Sequence, residues 1–190
     1  MVKPVNVSYA ARAVLETILI GLVLFLAGIV YASFFEWTVH SKVMHRPILS
    51  ISHFYRGHAQ IHHGRYQGDS TFVAGDRPHT DITFAWWAMP FPILAHVPFL
   101  TPIALWVSMP AAIGIFVAFS VYQVSYEYFH YCMHVPAGRW FEQTRAFKWI
   151  DAHHFQHHRK HNTNLNVVLP IADFLLRTRV RPPQTALTGA

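Results

Sequence analysis

Two stretches of this chain carry no charged side chain: nineteen residues from Thr17 to Phe35 and forty-five from Ile82 to Tyr126. A helix needs roughly 20 mostly apolar residues to cross a ~30 Å hydrocarbon core, so the first stretch predicts one membrane span and the second has length for two. The prolines of HVPFLTP (96–102) suit a turn between those two, and Pro90 and Pro92 predict a kinked or partly inserted first arm. Expected spans run over about 14–36, 82–97 and 102–126, in a single domain of residues 1–178 followed by a flexible tail, 179–190. After the first span the chain continues into EWTVHSKVMH with no small-residue cleavage site, which predicts an anchor that is retained. Apolar residues make up 53% of the chain and charged residues 13%, the balance of an all-α integral membrane protein. A soluble helical core is the competing reading of the apolar runs.

Three passes place the polar blocks 36–81 and 127–190 on one side, and fourteen of the fifteen histidines lie in those blocks, with only His96 in the hairpin. Lys3 and Arg12 precede the first span while the other thirteen basic residues follow it in the two blocks. The positive-inside bias then predicts a histidine-rich helical metal site on the cytoplasmic face. Cys132 is the single cysteine, which excludes a disulfide framework and a thiolate zinc finger and leaves metal chemistry to His, Asp and Glu. The net charge of +6 is scattered between apolar stretches, which argues against nucleic acid as a partner.

The histidines fall into four spaced clusters: His40 and His45; His58, His62 and His63; His130 and His134; His154, His157 and His158. Residues four apart share a helix face, so His58/His62, His130/His134 and His154/His158 are each able to grip one ion. The adjacent pairs His62-His63 and His157-His158 point about 100° apart and can serve two neighbouring ions. His40 and His45 are five apart, about 140° on a straight helix, so a distortion is needed for both to reach one centre. Ten histidines exceed the four ligands of a structural zinc site, and a binuclear catalytic centre fits them better. Imidazole suits Fe, Zn, Cu and Ni, so ligand type alone does not choose the metal.

His53, His79, His96, His153 and His161 fall outside the spaced sets, with His161, four after His157, the nearest to a ligand position. Glu36, Glu127 and Asp151 stand three or four residues before a cluster and are candidates to accept the far imidazole N–H of a metal-bound ring. Interfacial acids closing a span, or helix capping by Asp151, explain them as well. Aromatic residues beside the clusters, among them Trp37, Phe84, Trp86 and Trp87, suit a membrane-interface belt, and no substrate-binding residue is named.

At EWTVHSKVMHRP, HAQIHH, YEYFHYCMHVP, AHHFQHHRKHNTN and the closing LPIADFLLRT, the sequence resembles the fatty acid hydroxylase superfamily of membrane oxygenases, over about residues 30–178. The resemblance implies two iron ions, with zinc possible in the purified protein, held by His40, His45, His58, His62, His63, His130, His134, His154, His157 and His158. It implies an oxidoreductase that hydroxylates or desaturates a lipid-like substrate with O2. HAQIHH departs from the family, which often has two residues before the histidine pair where this chain has three. The three residues within HYCMH match sterol and fatty acid members more than carotenoid hydroxylases, which remain an alternative. No flavin or nicotinamide glycine fingerprint occurs, so electrons are expected from a separate donor protein. Non-oxidative alternatives are a membrane metal-binding or transport protein and a zinc hydrolase. The expected location is a bacterial inner membrane, or the endoplasmic reticulum in a eukaryote.

Overall fold

The computed structural model describes residues 7–48, 51–84 and 90–181, and every regular element among them is helical. The first uncharged run lies in α1 (Val7–Val39), which winds directly into a π-helix, π1 (His40–Met44). Next, α2 (Ser52–Tyr55), a second π-helix, π2 (Arg56–His62), and α3 (His63–Arg65) follow one another without a gap. The remaining helices are α4 (Pro90–Leu94), α5 (Val97–Trp106), α6 (Met109–His134), a short 3-10 helix (Trp140–Gln143), α7 (Arg145–Arg159) and α8 (Ile171–Leu175). Trp86 and Trp87 lie outside the described residues.

Local chemistry sets the ends of the two helices that carry most of the second histidine block. Ser108 caps α6 by accepting from the Ala111 N–H at 3.4 Å, and Pro110 occupies the first turn, where its missing N–H costs nothing. Thr144 caps α7 by accepting from the Phe147 N–H at 3.2 Å. Asp151 is therefore no cap; it sits in the middle of α7.

Helices α1 and α6 lie side by side and run in the same direction. Gly28 faces Ile115 and Ala118, Phe35 packs on Phe119 with ring centroids 5.1 Å apart, and Glu36 meets Tyr122. A Cβ on Gly28 would stand 2.8 Å from that of Ala118, so a small residue on each helix sets how closely the backbones approach. Parallel neighbours need a crossover that returns the chain to the starting end, and α4 and α5 lie on that return.

The crossover corrects the expected turn at 96–102. Residues 97–102 are helical, within α5, and the chain reverses at Val107–Ser108. Pro98 lies in the first turn of α5, where its missing N–H costs nothing, while Pro102 lies inside the helix and forfeits one bond, the one to the Pro98 carbonyl. The expected arm 82–97 is likewise not one helix: Ile82–Phe84 is irregular, part of the arm lies outside the described residues, and α4 is separated from α5 by a turn.

The helices Val14–Met44 and Met109–His134 are each long and apolar enough to cross a membrane. On α1, Val14, Leu15, Ile18, Leu19, Ile20, Leu22, Val23 and Leu26 are all more than half exposed. Ile113, Val117, Val121 and Val124 line an exposed stripe of α6. A soluble core would bury these faces, and no other element among the described residues covers them.

The tail also starts later than expected. Val180 exchanges both backbone hydrogen bonds with the Asn164 side chain, and the Arg179 guanidinium lies over Phe174 and Trp149, so residues 179 and 180 are held. Residues 182–190 lie outside the described residues.

Candidate metal centre

The ten spaced histidines converge in two groups of five beside the C-terminal ends of α1 and α6. One group holds His40, His45, His58, His63 and His157; the other holds His62, His130, His134, His154 and His158. Within each group the ligating nitrogens all lie within 4.8 Å of one another, and every member except His45 is buried. The sequence neighbours His62 and His63 go to different groups, as do His157 and His158, in keeping with the 100° step along a helix.

The two pairs that are five residues apart are served by the π-helices. The His45 N–H bonds to the His40 carbonyl, and the His63 N–H bonds to the His58 carbonyl. Winding closed over five residues brings positions five apart onto nearly one face, which supplies the distortion that His40 and His45 required. It also corrects the expected pairing of His58 with His62: the wider turn carries His58 to His63 and the first group. The pairs on true α-helices, His130/His134 and His154/His158, stay together in the second group.

Hydrogen bonds on the far side of the rings fix the protons. In the first group, His40 Nδ1 is 2.5 Å from the Leu165 carbonyl and His157 Nδ1 is 2.9 Å from that of Thr163. In the second, the Nδ1 atoms of His62, His134 and His158 meet the carbonyls of Asp81, Phe72 and Tyr66 at 3.0, 2.7 and 2.5 Å. A carbonyl only accepts, so these nitrogens donate, and each neutral ring presents a bare lone pair at Nε2. Two such lone pairs, on His62 and His158, face each other at 3.3 Å with no proton to share. A cation between them turns repulsion into coordination. Metal–nitrogen bonds of ~2.0–2.1 Å put neighbouring ligands ~3 Å apart, and the Nε2 pairs here are separated by 2.8 to 3.3 Å.

Burial keeps the rings neutral, as ligation requires. It holds His58, His62, His63, His154, His157 and His158 well below their ordinary value, and neighbouring imidazoles add to the effect. His45 is pushed down to about 2, by burial first and then by His40 and His161.

No hydrogen bond joins the expected carboxylate partners to the imidazoles. Glu36 accepts from the Tyr122 hydroxyl at 2.6 Å, the Asn166 amide at 2.9 Å and the Val167 N–H at 2.5 Å. Glu127 accepts from the Phe84 N–H at 3.1 Å, and its other oxygen is buried without a partner. Asp151 is pushed up to about 7 by burial and then by Glu142, and its Oδ1 is buried without a hydrogen-bond partner, as is Nδ1 of His154. Backbone carbonyls, which any residue type supplies, have taken the role assigned to these acids.

Asp173, which sequence reasoning did not single out, does organise the first group from outside it. Its fully buried carboxylate accepts from the Leu165 and Asn166 N–H groups, the Thr178 hydroxyl and His153 Nε2 at 3.0, 2.8, 2.5 and 3.0 Å. Those bonds pin the loop whose Leu165 carbonyl orients His40, and they outweigh the burial that would raise the Asp173 pKa, leaving it lowered. Asn164, in the left-handed region at φ 56° that Asn tolerates, donates to His153 Nδ1 at 3.0 Å. Both nitrogens of His153 are thus engaged, and it is structural.

A cavity of about 170 Å³ opens beside both groups, touching His58 of the first and His62 and His130 of the second. Met44, Ile61, Ile82, Phe84 and Tyr126 make its apolar wall, and Thr80, Asp81, Thr83 and Glu127 line it with polar groups. No family model, curated protein or solved structure matches this chain. The chemistry of the site rests on its own geometry.

Proposed function

We propose that this chain is an integral membrane, di-iron, O2-dependent oxidoreductase that hydroxylates or desaturates a lipid-like substrate. The observation that carries the reading is the convergence of ten Nε2 atoms in two five-nitrogen groups, several with the proton held at Nδ1 by a backbone carbonyl. Five nitrogens exceed the tetrahedral set zinc prefers in protein sites and suit an ion that takes five or six ligands, as Fe2+ does. When bound, a pair of iron ions supplies the redox chemistry that activates O2 toward an unreactive C–H bond. The residues hold the ions through neutral rings, exclude water with the apolar cavity walls and orient a hydrocarbon segment over His58, His62 and His130. Hydroxylation then consumes O2, two electrons and two protons and returns an alcohol and water; desaturation returns an alkene and two waters. The electrons come from a separate donor protein.

Exposed apolar faces on α1 and α6 support insertion in a lipid bilayer, where a lipid-like substrate reaches the cavity without crossing water. The histidine-bearing end lies on the cytoplasmic side under the positive-inside bias. The test is O2 uptake by detergent-purified, iron-loaded protein given a chemical or protein reductant and membrane lipid extract, with lipid products read by mass spectrometry under 18O2. The expected result is gain of one labelled oxygen atom or loss of two hydrogens, abolished by His154→Ala. Reductant-dependent turnover absent with every lipid fraction, or activity that survives in His154→Ala, contradicts the proposal.

A further inference from the structure

Of the histidines outside the two groups, His161 lies against them. It sits on the turn after α7, exposed to solvent, with its ring centroid 4.3 Å from that of His63, 5.7 Å from His45 and 6.1 Å from His157. All three belong to the first group, and no described ring contact joins His161 to the second. His45, the one member of the ten that is not fully buried, lies at this edge. The second group is buried throughout, and among the described residues no solvent-exposed histidine lies against it; its His62 and His130 border the cavity instead.

The cavity meets a different set of rings, His58, His62 and His130, so the two approaches to the centre share none. They also differ in chemistry. The cavity wall joins apolar side chains to two carboxylates, Asp81 paired with Arg65 and Glu127 bonded to the Phe84 N–H, so an aquated divalent ion entering there loses hydration largely against apolar groups, which is costly. At the His161 edge an imidazole already stands in water, able to replace one bound water while the others remain. It is not needed to complete the five nitrogens behind it.

Resting on the metal-centre reading above, we propose that His161 and His45 form a metal-loading port. The port takes a divalent transition-metal ion from water and passes it to the first group, which exchanges its ion with solution faster than the fully buried second group does. The step is ligand exchange alone: bound water leaves, imidazole nitrogen replaces it, and no electron moves.

The test uses full-length apo-protein in detergent, mixed with Co2+ and followed by stopped-flow absorption of the cobalt–imidazole centre, with final metal content by mass spectrometry. Uptake is expected in two phases, and His161→Ala is expected to slow the faster one by about tenfold or more while the final content stays the same. His161→Asp, which restores a ligand, recovers the rate, and His53→Ala, at an exposed histidine away from both groups, leaves it unchanged. An unaltered fast phase in His161→Ala, with both ions bound, overturns the port alone. Loss of one bound ion in that variant also overturns it, because His161 would then be a resident ligand. A wild-type protein that binds no cobalt overturns the metal-centre reading and the port together.

Discussion

His157 and His158 are neighbours in the chain, yet their Nε2 atoms face different partners, His63 and His45 for one, His62 and His154 for the other. Replacing either with Ala is therefore expected to remove a different ion, each single variant holding about one per chain and the double variant about none. Metal analysis of the three purified proteins checks this, and a single variant that loses both ions contradicts the division into two groups. Protonation gives a second expectation at this scale. Burial lowers His58, His63, His157 and His158 below the 6.5 they have in the unfolded chain. Above that value neither state holds the proton, so nothing is lost. As pH falls below it, the unfolded chain binds protons that the fold excludes, and stability declines. Thermal unfolding of the apo-protein should move to lower temperature between pH 7 and pH 5; a Tm that is flat or rising over this range contradicts neutral, buried rings.

Among the elements, π2 explains the departure in HAQIHH. One residue more than a two-residue spacing is absorbed by winding the segment as a π-helix, so His58 still reaches the first group with His63. Deleting Ala59 should let the segment close as an α-helix with His58 and His63 four apart and both ions retained. Deleting Gln156, inside the regular turn of α7, should displace His157 and His158 by about 100° from their partners and lose metal. Metal content of the two deletion variants distinguishes these outcomes. The loop pinned by Asp173 is a second element under test. Asp173→Asn replaces one accepting oxygen with a donor amide beside two backbone N–H groups, at a cost of about 1–3 kcal/mol. A lower Tm is expected, with weaker retention of the first group's ion than the second's.

These elements also mark where sequence legibility ends. The histidines could be read because four-residue spacing and adjacency are properties of a helix, whatever packs on it. The acceptors of their N–H groups could not, because a carbonyl carries no residue identity, and Glu36, Glu127 and Asp151 were assigned to a task that the backbone performs. Asp173 lay unread because its partners are N–H groups and a hydroxyl brought to it by the fold. The turn expected at 96–102 is displaced because Pro98 falls in the first turn of α5, where its missing N–H costs nothing, and Pro102 forfeits a single bond that the helix sustains; neither follows from the sequence without knowing where the helix begins.

At the scale of the whole molecule, two parallel helices have exposed apolar flanks, and the histidine groups gather beside one end of them. The crossover on α4 and α5 is what allows both chain segments to arrive there from the same direction. Such a molecule should stay in the membrane fraction through an alkaline carbonate wash and leave it only with detergent; release by the wash contradicts the membrane reading. On the proposed function, the two ions would sit at the polar end beside the cavity, where metal chemistry would meet a hydrocarbon substrate. The central claim is tested most directly by metal analysis and Mössbauer spectroscopy of protein loaded with iron-57, before and after reduction and exposure to O2. The account expects about two irons per chain, magnetically coupled and oxidised by O2. One iron per chain, iron indifferent to O2, or zinc retained in iron-supplied protein would contradict it.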